Sequence, residues 1–164
     1  MIDISKVIIC GDSWSSCVEA DTGKEYGGYP EVLGIPMAQR FAIPGSTAKE
    51  WVEDKGGILT RAVDSYKGYD TVIFTLGGND LRHAFKEDGK LEMREIYDTL
   101  TDIVKFIHAF PKGTRKVLLT YANPYQDKMY LDWVFKVWRI VYESLEVFEG
   151  VQVVDTMDTL RNGS

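Results

Sequence analysis

The sequence is poor in cysteine and histidine, and it contains no long apolar run. Its 164 residues include only two cysteines and two histidines. Cys10 and Cys17 lie close together in a chain without a charged-then-apolar leader, so no disulfide framework is expected and a reduced, cytoplasmic protein is predicted. No stretch of roughly 18 apolar residues marks a membrane span, so we expect no membrane partner.

Clusters of basic residues are absent as well. The formal net charge is -6, and no run of Lys or Arg would offset the repulsion between an acidic protein and phosphate groups. Nucleic acids are therefore not expected as partners. No Cys/His cluster has metal-ligand spacing, and Gly77-Gly78 lacks the further glycines and the lysine of a phosphate-binding loop. We expect neither a metal nor a nucleotide cofactor.

The residues that are present are those of one ordered α/β domain covering positions 1–164. Hydrophobic residues make up 45% and charged residues 27% of the chain, which is typical of a folded protein. Apolar, β-branched runs alternate with segments of helical spacing, and this alternation predicts a parallel sheet with helices on both faces. The predicted strands are Lys6–Cys10, a weaker Met37–Ile43, Asp70–Leu76, Lys116–Tyr121 and Val151–Val154, and the predicted helices are Pro30–Leu33, Met93–Phe110 and Asp127–Glu149.

Three strand ends carry residues suited to acyl transfer. They are Gly11-Asp12-Ser13-Trp14-Ser15, the loop around Gly45, and Gly77-Gly78-Asn79-Asp80. Ligands of parallel sheets bind where the carboxyl ends of the strands meet. Ser13 is a candidate nucleophile, and the N–H groups of Ser13 and Gly45 with the Asn79 amide would stabilise an oxyanion. Viewed singly, each motif is explained by a helix-capping serine or by turn glycines. The three motifs together are more specific for an acyl-transfer site.

GDSWS, the glycine near position 45 and GGND resemble the first three sequence blocks of the SGNH/GDSL hydrolases, over residues 5 to 155. The resemblance implies a three-layer, flavodoxin-like sandwich with a parallel sheet of about five strands. It also implies cleavage of acyl, acetyl-sugar, lipid or related esters. Ser13 would then be the nucleophile, and Gly45 and Asn79 would complete the oxyanion hole.

The fourth block of that family, Asp-x-x-His, is missing. Neither Asp155 nor Asp158 is followed by histidine three residues later. Too few residues follow Val154 to build the closing helix of such a sandwich, so we expect the final C-terminal helix to be missing. Of the two histidines, His83 is a candidate substitute base on the loop after Asn79. His108 is better explained by the favourable position of a histidine at a helix C-terminus.

Several alternatives remain open at this point. The chain is either an ester hydrolase of small-molecule or glycan esters or an inactive ligand-binding or assembly module. As a hydrolase it would be truncated before its histidine, or weakly active with a base recruited from elsewhere. The helix over 127–149 carries a wide apolar arc, for which a buried core position is favoured over a homo-oligomer interface. Asp12 and Asp80 are predicted to hold their loops through backbone N–H groups. Trp14, Trp51 and Tyr121 fit pocket walls and core positions equally well.

Overall fold

The computed structural model describes residues 3–18, 21–65, 68–84, 90–121 and 132–156. Its centre is a sheet of four parallel strands in chain order, β1-β2-β3-β4. Every strand is rich in β-branched or aliphatic residues, which suit a sheet buried on both faces. The strands are β1 (Val7–Gly11), β2 (Thr71–Thr75), β3 (Arg115–Leu119) and β4 (Val151–Val154).

Seven α-helices connect and cover these strands within the described residues. They are α1 (Ser13–Ser16), α2 (Tyr29–Val32), α3 (Ala48–Val52), α4 (Ile58–Ser65), α5 (Gly78–Ala84), α6 (Met93–Ala109) and α7 (Asp132–Glu143). Short 3₁₀ helices occupy Ile4–Lys6, Met37–Gln39, Lys55–Gly57 and Ser144–Val147. The prediction of a parallel α/β fold is confirmed, with four strands where about five were expected.

The expected strand over Met37–Ile43 is wrong. Its first part is the 3₁₀ helix that follows Pro36, and the Gln39 amide stabilises this turn by donating to the carbonyls of Ile4 at 3.0 Å and Val7 at 2.7 Å. Residues 40–43 then run beside β1, where the N–H of Phe41 donates to Ile9 at 2.7 Å. The edge of the sheet is therefore extended by an irregular segment that makes only a single bridge to β1.

The two long helices differ in how well the sequence predicted them. Helix α6 follows the prediction. It ends before Phe110, whose backbone is extended because the helical conformation is disfavoured for a residue that precedes a proline, here Pro111. Helix α7 ends at Glu143, before the predicted end at Glu149, and a 3₁₀ turn continues it to Val147. Residues 127–131 lie outside the described residues, as do 157–164, on which the expectation of a missing final helix falls.

The sheet separates two hydrophobic clusters of unequal size. The larger one packs helices α3 to α7 against Ile8, Phe74 and Leu118, with the indole of Trp51 fully buried inside it. The smaller one lies on the other face, where Ile35 and the ring of Tyr29 cover residues of β1, β2 and β3. Helices thus cover both faces of the sheet, but most of the buried apolar side chains lie on one of the two faces.

Gly11 ends β1 in a conformation that only glycine adopts easily. Its φ is +111°, and a Cβ atom there would lie 2.1 Å from the carbonyl oxygen of Thr75. The next residue, Asp12, donates its N–H to that same carbonyl at 3.0 Å. The absence of a side chain at position 11 therefore lets the chain leave β1 in contact with the end of β2.

We expect Gly11→Ala to lower the free energy of unfolding by at least about 3 kcal/mol, because strain and a backbone clash act together. Gly23→Ala is the matched control, since Gly23 has a φ of +67° but a Cβ atom there would meet no other atom within 4 Å. It should cost only about 1 to 2 kcal/mol from its backbone conformation. Urea denaturation measures both, and equal losses would contradict the importance of the Gly11–Thr75 contact.

Candidate active site

Ser13 is the first residue of α1, directly beyond the carboxyl end of β1. It is half-buried, and its carbonyl accepts hydrogen bonds from the Tyr26 hydroxyl at 2.6 Å and from the Cys17 N–H at 3.1 Å. These contacts fix the backbone of the residue. Its own hydroxyl has no hydrogen-bond partner among the described residues, so the side chain is positioned but not engaged.

Ser46 joins the loops that carry the three predicted site motifs. Its hydroxyl lies 3.1 Å from the carbonyl oxygen of Gly11, two residues before Ser13, and its own carbonyl accepts a hydrogen bond of 3.0 Å from the Asn79 amide. Gly45, immediately before it, has a φ of +77°, as expected of a turn glycine. The structure thus brings the loops of Ser13, Gly45 and Asn79 together beyond the carboxyl ends of the strands.

The Asn79 amide uses only one of its two N–H donors among the described residues. An amide NH₂ group has two N–H donors, and the described contact with Ser46 uses one of them. The neighbouring Asp80 accepts the N–H of Ala48 at 2.9 Å, which confirms its predicted role in holding a loop. Burial raises the pKa of Asp80, while the backbone hydrogen bonds it accepts act to lower that pKa.

Asp12 is the buried anchor of the Ser13 loop. Its carboxylate is 1% exposed and accepts hydrogen bonds from the N–H of Trp14 at 3.1 Å, from the hydroxyl of Thr75 at 2.8 Å and from the hydroxyl of Tyr121. The contact with Trp14 confirms the prediction made for Asp12. Burial raises the pKa of Asp12 to about 6, although its three hydrogen bonds act in the opposite direction.

A chain of hydroxyl groups extends from Asp12 beneath the Ser13 loop. The Ser15 hydroxyl lies 2.7 Å from that of Thr75 and 2.7 Å from that of Tyr29. Because the Thr75 proton is donated to Asp12, Ser15 must donate to Thr75, and Tyr29 must donate to Ser15. The ionised carboxylate therefore sets the direction of every hydrogen bond in the chain.

Tyr121 connects the Ser13 loop with the Asn79 loop. Besides its hydrogen bond to Asp12, its ring lies so close to Gly78 that a Cβ atom there would be 2.8 Å from the ring carbons. The Trp14 indole meets the Tyr121 ring edge-on at 5.5 Å and is 37% exposed at the site. Of the three aromatics considered from sequence, Tyr121 is a buried core residue and Trp14 a partly exposed one.

Sequence reasoning did not find the roles of Thr75, Ser15 and Tyr29. All three have ordinary polar side chains in or beside apolar runs, and no spacing connects Ser15 with Thr75, which is 60 residues away. The pairing of Gly11 with Thr75 in the sheet brings them together. A threonine at the end of a strand opposite the GDS motif is the only signal that the sequence offers.

The two histidines occupy different parts of the molecule. His83 is exposed in the last turn of α5, so its placement on a loop is wrong; it lies one helical turn beyond Asn79, on the same side of the helix. His108 lies near the C-terminus of α6, as predicted, and contacts the Val104 carbonyl at 2.8 Å and the Phe148 ring. This helix end leads into the start of β3, so His108 lies at the amino-terminal ends of the strands, whereas Ser13 lies beyond their carboxyl ends.

Asp155 directly follows β4, and like Ser13 it lies beyond the carboxyl ends of the strands. Its carboxylate accepts a hydrogen bond of 2.9 Å from the Arg139 guanidinium and one of 3.3 Å from the Thr120 hydroxyl. Arg139 also lies 3.6 Å from Glu143. The carboxylate at the end of the last strand is thus held by an arginine and a threonine.

A pocket of about 320 Å³ opens beside Gly45. Its walls are the loop 43–46, Glu50 and Trp51 of α3, and Lys55, Gly56 and Ile58. Trp51, for which a pocket wall and a core position fitted equally well, is a core residue, because its side chain is fully buried behind the pocket.

The described ranges contain neither a metal-binding cluster nor a membrane-spanning helix. No group of three or more His, Cys, Asp or Glu side chains there is arranged to hold a metal ion. In the same part of the chain, no helix has the length and apolar character needed to cross a membrane.

These features define a parallel α/β domain whose serine, glycine and asparagine loops converge at the carboxyl edge of the sheet. The family model of the GDSL-like lipase/acylhydrolase family matches residues 9–164. The chain therefore belongs to this family, as its motifs indicated. No curated protein matches the sequence.

Solved structures of lipases and esterases share the fold at low sequence identity. The lipase Lip_vut3 from a goat rumen metagenome has a TM-score of 0.68 and 16% identity, over 92% of this chain and 80% of that one. A catalytic mutant of Axe2, an acetylxylan esterase from Geobacillus stearothermophilus, gives 0.59 and 16%, over 95% and 80%. LAE5, an α/β hydrolase enzyme from a Lake Arreo metagenome, gives 0.58 and 19%, over 91% and 75%.

The raised pKa of Asp12 predicts how stability changes with pH. Its carboxyl has a pKa of about 6 in the folded protein against an ordinary 3.8, so folding is favoured most when the group is protonated. This contribution is lost as the pH rises through about 6. Relative to Asp12→Asn, the free energy of unfolding of the wild type should fall by up to roughly 3 kcal/mol between about pH 4 and pH 7.

Urea denaturation of both proteins across this pH range measures the difference. Asparagine has the same shape and keeps an oxygen for Trp14 and Thr75. Its NH₂ group replaces the oxygen that accepts the Tyr121 hydroxyl, but this change does not depend on pH, so the pH dependence of the difference reports the charge. A difference that stays constant, or that rises with pH, would contradict the buried, proton-binding character of Asp12.

Proposed function

We propose that the protein is a serine ester hydrolase with an incomplete catalytic triad. The observation that carries the proposal is the double contact of Ser46, which joins the Gly11 end of the nucleophile loop to Asn79. Ser13 attacks the ester carbonyl through its Oγ. The N–H groups of Ser13 and Gly45 and the free N–H of the Asn79 amide then stabilise the negative charge that develops on the carbonyl oxygen.

The weak point of this site is the base. Serine is a poor nucleophile until its proton is removed, and loss of a base lowers turnover by on the order of 10³-fold or more. We propose His83 as the substitute base, because it follows Asn79 by one turn on the same side of α5. Low activity is expected even with this histidine, since no described contact links it to Ser13.

Small-molecule or glycan esters are the proposed substrates. Acylhydrolase membership and the likeness to a lipase and to an acetylxylan esterase support this class. A cytoplasmic location belongs to the same proposal, supported by the two free, buried cysteines. We propose no nucleic-acid, membrane or cofactor partner for the single domain spanning 1–164.

An inactive ligand-binding or assembly module is the alternative function. One observation favours assembly: Trp133, Val137 and Ile140 lie along one side of α7 and are 51%, 45% and 60% exposed. The sequence favoured a buried core position for the helix over 127–149, and this prediction holds for only part of the helix surface. A second copy of the chain that covers this stripe would form the homo-oligomer considered from the sequence.

Hydrolysis of a small activated acetyl ester tests the catalytic proposal. Ser13→Ala should lower the rate to that of buffer, and Asn79→Ala should lower it by about 10² to 10³-fold through loss of an oxyanion donor. His83→Asn should lower it at least tenfold if this residue is the base. Ser144→Ala and His108→Asn are matched controls far from the site and should keep the wild-type rate.

A wild-type rate that Ser13→Ala leaves unchanged would overturn the assignment of the nucleophile. If only His83→Asn is without effect, hydrolysis stands and His83 is not the base. A wild-type protein as slow as buffer with a range of esters would favour the binding or assembly module.

Sedimentation of the wild type and Ile140→Glu tests assembly. We expect the wild type to form a dimer at micromolar concentration and the variant to remain a monomer, because a charge in a covered apolar stripe is costly. Tyr97→Glu is the control on α6, where the side chain is 70% exposed. A monomeric wild type at about 100 µM would exclude this stripe as a stable interface.

A further inference from the structure

Two buried tyrosines pack against the glycine pair that precedes Asn79. A Cβ atom on Gly78 would lie 2.8 Å from ring carbons of Tyr121, and one on Gly77 would collide with the hydroxyl oxygen of Tyr142. The two tyrosines are 4% and 0% exposed, and their ring centroids lie 6.4 Å apart. Neither ring has room to yield in a close-packed interior, so the turn before Asn79 rests directly on both.

Tyr121 also contacts both neighbours of Ser13. Its hydroxyl donates to the carboxylate of Asp12, the residue before Ser13. Its ring meets the indole of Trp14, the residue after Ser13, edge-on at 5.5 Å. Burial and the Asp12 carboxylate raise the pKa of Tyr121, so the phenol stays protonated and remains a donor. One side chain therefore holds the Ser13 loop on both sides of the serine.

The ring of Tyr121 differs in kind from the other link between these loops. That link runs through Ser46 and consists of hydrogen bonds, 3.1 Å to the Gly11 carbonyl and 3.0 Å from the Asn79 amide. Hydrogen bonds oppose the separation of two loops, whereas a rigid, buried ring between them also opposes their approach. The smallest distance that Ser13 and Asn79 can adopt is therefore set by Tyr121.

We propose that Tyr121 is a positioning residue that sets the separation of the Ser13 nucleophile from the Asn79 amide. Its hydroxyl fixes the Ser13 side, and its ring fixes the Asn79 side through Gly78. The inference rests on the proposed function, since this separation matters for turnover only if both groups act on one carbonyl. A misplacement of about 1 Å lowers turnover by on the order of 10²-fold, so the loss of Tyr121 should lower kcat and leave KM within about twofold.

The first test separates the hydroxyl from the ring in hydrolysis of a small activated acetyl ester. Tyr121→Phe keeps the ring and should lower kcat about tenfold, whereas Tyr121→Leu loses both contacts and should lower it by on the order of 10²-fold. Tyr142→Phe is the matched control, because it also removes a buried hydroxyl, one that donates to the Leu76 carbonyl. It should lose comparable stability and keep kcat within about twofold of the wild type.

The second test uses the close contact between the ring and Gly78. Gly78→Ala places a methyl group against Tyr121 and should lower kcat about tenfold, because the turn before Asn79 is pushed away from the ring. In Gly78→Ala/Tyr121→Leu, the methyl group enters space that the ring has left. The double variant should therefore exceed the product of the two single losses by at least about fivefold in kcat. Multiplicative losses would contradict the role of the ring as a spacer.

Hydrogen exchange of backbone amides tests the positioning without catalysis. The Trp14 N–H donates to Asp12 at 3.1 Å, and the Leu81 N–H forms a hydrogen bond of 2.8 Å at the start of α5, so the two amides report on the two loops separately. Tyr121→Phe should accelerate exchange at Trp14 by at least about tenfold and leave Leu81 unchanged, whereas Tyr121→Leu should accelerate both. Tyr142→Phe should leave Trp14 unchanged.

The outcomes separate the two proposals. The expected exchange pattern in a protein without esterase activity supports the spacing of the loops by Tyr121 and overturns hydrolysis. Hydrolysis in which Tyr121→Phe and Tyr142→Phe have equal kcat supports the catalytic proposal and overturns the positioning role. Losses that appear in KM instead of kcat also overturn it, because the side chain would then act on substrate binding.

Discussion

The organisation of the site depends on a buried carboxylate, that of Asp12. A charge without solvent must be matched by donors, and here they come from three separate elements: the start of α1, the end of β2 and the segment after β3. Satisfying this one group therefore brings three strand ends together. The position of Ser13 follows from it, because Ser13 lies between Asp12 and the Trp14 N–H that Asp12 binds.

The loops around this carboxylate are held in different ways. Tyr121 acts through its hydroxyl on one side and its ring against Gly78 on the other. Ser46 acts through hydrogen bonds to Gly11 and Asn79. Rigidity at the site thus comes from a few polar contacts supported by a well-packed core.

The parts of the structure that local patterns encode were predictable from the sequence. Apolar runs gave the four strands within one or two residues, and the motifs predicted the positions of Ser13 beyond β1 and of Asn79 beyond β2. Contacts between distant segments were not predictable, and the bond between Tyr121 and Asp12 joins residues 109 positions apart. The prediction of a strand over Met37–Ile43 failed because the hydrogen bonds of the Gln39 side-chain amide favour a turn. This is a tertiary effect that overrides local propensity.

The order of the strands has a consequence for how the protein is made. Since β1, β2, β3 and β4 are neighbours in the same sequence in which they are synthesised, each new strand can pair with the one before it as it leaves the ribosome. The Asp12 carboxylate nevertheless lacks one of its donors until Tyr121 has emerged. The Ser13 loop therefore gains its full set of contacts only after Tyr121, 109 residues further along the chain than Asp12, has been synthesised.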